Sequence, residues 1–524
     1  MRHSVQELQQ TAKSQWRTLA VLVLPLVLWI QPAAAEVTRG ATNEPVRTDG
    51  AHPGIAPPAH ETASDDKATG PVLNLPFSYE EAAWFRAAWA YFYGPPPAQA
   101  PTPSPMAVSP DNQNTQREAS AEGGVPVPAP QAPAFLVPSR VGTNVATPWS
   151  MGDQVAALLL AHRLGLLDSR EFDGRFTRLV EFFNRMPLAP GGMPNRFYDS
   201  SSGATLGGDL QPGVAGWSSV DTGRLLLWLR IASEAHPQFA LFIRNAVARL
   251  NVCHILSEDG HLQLGTVVGG EIQLSSETIR GYDAYAAQGY RAWNLDVPIP
   301  KVANTYPFEI EVHDIAFPVA EDHSTQAPVM TTPPAYLGFE FGFNLLGDDV
   351  DDEIGGGRAA EEFMRAVAEA QANRYTTTGS PTARADFRRS DDPTTLYGTI
   401  LVNGYPWSVI TPDGTLRADL GLISTRAAFA LDAFADDPNA NLLLPLVGEL
   451  YDPQGGWYEG RYEQTGAYEQ TRSSATNAFV MEALAYRHLG PLYPDSARPA
   501  EFQPIVPGPD GACRLPRTVV PLGP

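Results

Sequence analysis

Apolar and polar positions along the chain separate two kinds of helix. One kind is apolar around nearly its whole circumference. It appears at Val155 to Leu160, after Trp149-Ser150-x-x-Asp153, and at Leu225 to Leu229, after Trp217-Ser218-x-x-Asp221. A helix of this kind must be covered on every side, which fits the inner layer of a double ring. The other kind is amphipathic. Asp168-x-x-Glu171 caps a helix running through Phe172, Phe176, Leu179, Val180 and Phe183, and another follows Pro237 through Phe239, Phe242, Ile243, Val247 and Leu250. These read as an outer layer. Ser78-Tyr79-Glu80-Glu81 is a capping box opening an aromatic-rich helix that Gly94-Pro95-Pro96-Pro97 stops. Tyr282 to Trp293, Arg358 to Tyr375, Leu422 to Phe434, Asn441 to Leu450 and Ala475 to Leu489 bring the set to roughly ten to twelve helices. Leu262 to Leu264 and Glu271 to Leu274 read as a small hairpin. Residues 297–345 are broken by proline and read as irregular, with a short strand near Phe308 to Val312. The fold class is therefore mainly α: an (α/α)6 toroid with long loops and a few short strands.

The flanks differ from this pattern. Lys13 and Arg17, the apolar run Leu19 to Ile30 and Ala33-Ala34-Ala35 read as a signal peptide over 1–35, with an uncleaved anchor as the alternative. Residues 36–72 read as a disordered linker, because Pro, Ala, Thr and charged residues leave no apolar face to bury. The toroid then spans 73–490 with a Pro-rich insertion at 95–138, and 491–524 form a Pro-rich tail. Cys253 and Cys513 are the only cysteines; one disulfide or two free thiols are both open, and zinc-ligand spacing is absent.

Charge narrows the partners. With 58 acidic against 36 basic residues, a net charge of −22 argues against nucleic acid and against an anionic ligand bound over a broad surface. A periplasmic or secreted protein with a neutral carbohydrate ligand fits. The acidic run Asp348 to Glu353 reads as a solvated loop, with calcium as the less favoured reading. No nucleotide loop, metalloprotease motif or serine elbow occurs, so no cofactor or metal is expected.

The richest stretch chemically is Gly455 to Leu484, where Glu459, Glu463 and Glu469 alternate with Trp457, Tyr458, Tyr462 and Tyr468 before an apolar helix. Aromatic rings stack on sugar C–H faces, and carboxylates bind hydroxyls or transfer protons. The catalytic candidates are Asp221, Glu277, Glu340 and Glu459. Each has a structural reading beside the functional one. Ser218-x-x-Asp221 is also a capping pattern, with the same capping reading for Asp153; Glu277 could pair with Arg280, Glu340 between Phe339 and Phe341 fits a strand edge, and Glu459 beside Gly460 fits an acidic connecting loop. The candidate substrate-binding residues are Trp217, Arg280, Tyr282, Trp407, Trp457, Tyr458, Glu463 and Asn477.

The motifs TPWSMGDQ at Thr147, RLGLLDSREFDGR at Arg163, GWSSVDTGRLLLWL at Gly216, RGYDAYAAQGYRAW at Arg280, GGWYEGRYEQTG at Gly455 and TNAFVMEAL at Thr476 occur in this order. Together they resemble the bacterial family known as domain of unknown function 3131. In that family an aspartate usually follows the first tryptophan directly, whereas here Ser150 does and Asp153 lies three residues further on. The resemblance implies a glucoamylase-like (α/α)6 toroid with a sugar cleft at one end. A glycoside hydrolase acting on a glucan is the function it implies, with a non-catalytic glycan-binding or scaffold protein as the alternative.

Overall fold

The computed structural model describes residues 77–94, 135–277, 279–299, 308–319, 328–347, 357–434 and 440–515. The expected signal peptide, the linker, the acidic run at 348–353 and residues 95–134 of the insertion lie outside the described residues.

Six helices form an inner ring in which each packs against the next: α2 (Pro148–Arg163), α4 (Ser219–Ala235), α6 (Tyr282–Arg291), α7 (Thr332–Phe341), α9 (Thr425–Phe434) and α11 (Ser474–Leu489), the last closing back on α2. Their apolar circumference is explained by this position, since both faces and both flanks are covered. Among the described residues five helices lie outside the ring. Of these, α1 (Tyr79–Tyr93) packs on α11 and α2, α3 (Ser169–Arg185) on α2, α5 (Pro237–Val247) on α4, α8 (Gly357–Thr378) on α7 and α9, and α10 (Ala440–Val447) on α9. Outside α6 and α7, the described chain instead carries a hairpin of β4 (Phe308–Val312) and β5 (Ile315–Val319), which packs on α8.

Local signals start these helices where the pattern placed them. Ser78 and Glu81 form the reciprocal capping box at α1, and Thr147 does the same with Ser150 at α2, with Pro148 in the first turn. Asp168 caps α3. The closest crossing is between α4 and α6, where a Cβ on Gly289 would fall 1.8 Å from the Gly223 carbonyl oxygen. Only glycine on both helices lets the two backbones meet.

Three expectations are corrected here. The irregular reading of 297–345 concealed α7, because Pro333 and Pro334 sit in its first turn, where a missing N–H costs no helical hydrogen bond. Phe135 to Pro138, expected within the insertion, pack with the described fold: Leu136 and Val137 are buried, and the Val137 amide donates to Gln154 Oε1 at 3.1 Å. Asp153 is not a helix cap, since its carboxylate is buried against Arg224.

The described tail after α11 is anchored to the core at separate points. Leu492 and Tyr493 donate their amides to the carbonyls of Phe339 and Glu340, and Tyr493 and Leu515 are buried. Cys513 is disulfide-bonded to Cys253, with a Cα–Cα distance of 4.9 Å.

Candidate functional site

A helix N-terminus and a sheet bring two carboxylates together. Strand β1 (Gly216–Ser218) runs directly into α4 and pairs with β2 (Gln263–Val268), which pairs in turn with β3 (Glu271–Ser276). The register Ser218↔Leu264↔Ser275 carries Glu277, just beyond β3, onto the first turn of α4. There Ser218 Oγ donates to Glu277 Oε1 at 2.6 Å, and the Val220 amide donates to Glu277 Oε2 at 3.1 Å. Ser218 Oγ also accepts the Asp221 amide at 2.9 Å, so the serine is the cap and the Asp221 side chain is not. Among the described residues none donates a hydrogen bond to the Asp221 carboxylate, and both Asp221 and Glu277 keep partial access to solvent.

Their protonation is shaped by this placement. Burial is the largest influence on Asp221 and pushes its carboxyl up to about 6, against the attraction of Arg196 and Arg388. Burial and then the negative charge of Asp221 push Glu277 up to about 8, although the Ser218 hydroxyl and the helix amides pull the other way. At neutral pH the pair therefore consists of a protonated Glu277 beside an ionised Asp221. That is the division of labour acid–base chemistry needs.

The surrounding wall comes from later in the chain. Strand β6 (Asp386–Arg388) pairs with β7 (Thr395–Gly398), setting Asp386 opposite Tyr397. Tyr397 feels the charges of Arg388, Asp386, Asp221 and Glu277, while burial pushes its hydroxyl up to about 12. Asp386 accepts from Tyr282 Oη at 2.8 Å and pairs with Arg426 at 3.0 Å; Arg426 and then Arg388 hold it ionised against burial. Trp149, at the start of α2, is half-buried and lies edge-on to Tyr282 and Tyr336, with ring centroids 5.5 and 5.7 Å away. Asp386, Arg388, Tyr397, Arg196 and the platform role of Trp149 escaped the sequence reading. Trp149 had a signal in the first Trp-Ser motif; Asp386, Arg388 and Tyr397 sit on short strands and Arg196 just before one, and these carry none.

Beneath Trp149 the ring centre holds a closed polar cluster. Arg224 is fully buried and bonds Asp153 at 2.7 Å, Glu340 at 3.2 Å, Glu482 at 2.5 Å and Tyr285 Oη at 2.6 Å. Trp149 stacks over its guanidinium, 5.0 Å from the ring centroid. One cation cannot neutralise three carboxylates. Burial and then the charge of Glu482 raise Glu340 well above the ordinary carboxylate range, and burial lifts Glu482 to about 7.

Several candidates move accordingly. Glu340 is not in the cleft or on a strand edge: it lies on α7 with no exposure, accepting from Trp228 Nε1 at 2.9 Å. Glu459 is buried and engaged by Ser473 Oγ, the Arg388 amide and Arg426, so it positions the wall and has no free oxygen for proton transfer. Trp457 is a core residue whose indole donates to the Trp84 carbonyl at 3.1 Å, and the Asn477 side chain accepts the Trp457 amide at 2.7 Å. Trp217 is buried behind β2, against Gly265. Arg280 is buried and donates to the Pro318 carbonyl at 2.7 Å, which fixes the outer hairpin. Tyr458 is half-buried under Arg472, at 5.7 Å. Trp407 borders a separate small core with Arg374 over its ring at 4.8 Å, and Glu463 pairs with Arg374 and Arg384. Of the twelve candidates, the structure brings Asp221 and Glu277 together, while Tyr282 is buried with its hydroxyl on Asp386. Rings and carboxylates alone could not separate the others, packed or paired elsewhere in the fold, from the site, because the same residue types serve both purposes.

Among the described residues no group of three or more His, Cys, Asp or Glu is arranged to hold a metal ion, and no helix is long and apolar enough to cross a membrane.

The inner ring and the helices outside it form a two-layered helical toroid. A glucoamylase-like protein from Bacteroides caccae matches with a TM-score of 0.53 at 13% identity, covering 79% of this chain and 94% of that one. An endo-β-1,2-glucanase from Chitinophaga pinensis, solved with sophorotriose and glucose, matches with a TM-score of 0.55 at 11% identity over 79% and 93%. At such identities the likeness is one of fold. The chain belongs to the family described as a protein of unknown function, DUF3131, which matches residues 130–490. No curated protein matches it.

Proposed function

We propose that the protein is an exported glycoside hydrolase that cleaves a glucan backbone at the Asp221–Glu277 cleft. Glu277 donates its proton to the glycosidic oxygen as the bond to the anomeric carbon breaks. Asp221 takes a proton from the water that attacks that carbon, so the proton lost by one carboxyl is replaced through the other after each turnover. Trp149 offers its face to the sugar ring, and Arg388 and Tyr397, both partly exposed, offer hydrogen-bond partners to its hydroxyls. The observation that carries the reading is the Asp221 carboxylate itself: partly exposed and without a hydrogen-bond donor among the described residues, and joined through Ser218 to Glu277, whose carboxyl burial pushes up to about 8.

The test is a panel of neutral glucans, β-1,2-linked oligosaccharides among them, incubated with the protein and with Glu277→Gln and Asp221→Asn. Reducing ends released by the unaltered protein, and lost in both variants, support hydrolysis. Binding without product would sink it and leave a glycan-binding protein. Export is tested by sequencing the N-terminus of secreted material, expected at Glu36 after Ala33-Ala34-Ala35.

A further inference from the structure

One buried hydroxyl stands between the two carboxyl residues of the cleft. Strand β1 ends at Ser218 and α4 starts at the next residue, so Ser218 is at once the end of the sheet and the cap of the helix. The turn around it is tied down on several sides. Ser218 lies opposite Leu264 in the sheet, and Thr222 Oγ1 donates to its carbonyl at 2.7 Å. Ser219 Oγ donates to the Gln263 carbonyl at 2.6 Å, and Tyr290 Oη from α6 donates to the Ser219 carbonyl at 2.8 Å. The serine side chain therefore has one place to be, and little water can take over its partners.

A hydroxyl has one proton to give, and a backbone N–H can only donate. Ser218 Oγ accepts the Asp221 amide at 2.9 Å, which is all that capping requires. Its own proton goes to Glu277 Oε1 at 2.6 Å, across 59 positions of sequence. That separation is typical of a hydroxyl bonded to an ionised carboxylate. The Val220 amide meets the other oxygen, Oε2, at 3.1 Å. Both oxygens of Glu277 thus have donors already in place. Burial favours the protonated acid, and these donors favour the anion that proton transfer leaves behind. The other titratable or charged groups of this neighbourhood are Asp221 and Asp153, Tyr290 on α6, Tyr397 on β7, Arg196 and Arg388. Burial holds both tyrosine hydroxyls above their ordinary value, so they keep their protons through the range in which Glu277 titrates.

We infer that Ser218 is a positioning residue for the acid step: its hydroxyl fixes the Glu277 carboxyl at the mouth of α4 and stabilises the carboxylate formed when Glu277 hands its proton to the glycosidic oxygen. Ser218 acts through Glu277 and does not itself meet the sugar. The inference rests on the hydrolase reading above and deepens it, because it gives the serine of the second Trp-Ser motif a part in the reaction beyond ending a strand and capping a helix.

The experiment compares the full chain with Ser218→Gly and Ser218→Thr. Glycine is nearly as good a helix cap as serine, so the first variant removes the hydroxyl while largely sparing the fold, and threonine keeps the donor. The first readout needs no substrate. The Glu277 carboxyl is titrated by NMR in protein labelled with ¹³C at the glutamate carboxyls, its signal assigned by its loss in Glu277→Gln. Its midpoint, near 8 in the native protein, should rise by about one pH unit or more in Ser218→Gly, as the loss of a hydrogen bond to an anion implies, and stay close to native in Ser218→Thr. The second readout is the initial rate on the glucan of the panel above that the unaltered protein cleaves. In Ser218→Gly kcat should fall by a few-fold up to about tenfold with KM unchanged, and the alkaline limb of the pH profile should move up with the titration. A pure cap would move the melting temperature and neither of these. An unmoved midpoint in Ser218→Gly overturns the inference, as does a Ser218→Thr midpoint as high as that of Ser218→Gly. A native kcat in Ser218→Gly overturns it too and leaves the hydrolase reading standing. Absence of any cleavage by the unaltered protein, whatever the titration shows, overturns the hydrolase reading and this role with it.

Discussion

Replacing Glu277 with glutamine tests the acid–base assignment most directly. The amide keeps the shape and an oxygen that can accept from Ser218 or the Val220 amide, but it has no proton to give. Loss of a general acid costs about 10² to 10⁴ in rate, or about 3–5 kcal/mol of transition-state stabilisation. The pH profile adds a sharper signature. With Asp221 near 6 and Glu277 near 8, activity should rise through about 6 as Asp221 ionises and fall through about 8 as Glu277 ionises. At pH 7 each group is about nine-tenths in its working form, and at pH 5 or 9 one of them is only about one-tenth so, a roughly tenfold loss on either side. Glu277→Gln should lose the alkaline limb and keep the acidic one, while Asp221→Asn should do the reverse. Thermal melts give an independent check. A carboxyl whose folded value is raised favours the native state fully below its unfolded value near 4.5, and the benefit is lost as pH rises towards about 8. The variant should therefore gain stability relative to the native protein over that window. Initial rates on the glucan that the native protein cleaves, measured from pH 4 to 10, decide the matter. A Glu277→Gln protein with near-native kcat, or one that retains the alkaline limb, refutes the assignment.

Other perturbations probe the scaffold. Glu340→Gln should change stability by less than ~1 kcal/mol because burial and the charge of Glu482 favour the neutral form that glutamine mimics, whereas Arg224→Met should cost ~3–5 kcal/mol in urea unfolding by leaving buried carboxylates unpaired. Gly289→Ala forces α4 and α6 apart at the Gly223 carbonyl and should cost ~1–3 kcal/mol or more, read as a lowered Tm. Cys513→Ser should lose ~2–4 kcal/mol, and mild reduction of the native protein should lower its Tm by a similar amount, since the bond closes a 260-residue separation.

The order and type of the helices were legible because an inner helix, covered on every side, has to be apolar throughout, and an outer one has to be amphipathic. Capping at Ser78 and Asp168 was equally local and equally readable. The helix α7 was not, since Pro333 and Pro334 look like breakers until their place in the first turn is known. The site was legible only in part. Asp221 and Glu277 stand 56 positions apart, and it is the β1–β2–β3 register that sets one against the other. The sequence also could not separate Glu340 from Glu277: both are carboxyls that burial keeps protonated. Glu340 faces Arg224 at the closed centre of the ring, and Glu277 lies at its open end beside solvent. Local patterning determines which segments are helices and which faces must be hidden. Whether a buried carboxylate meets an arginine or a substrate is decided by which distant segments the closed ring brings together.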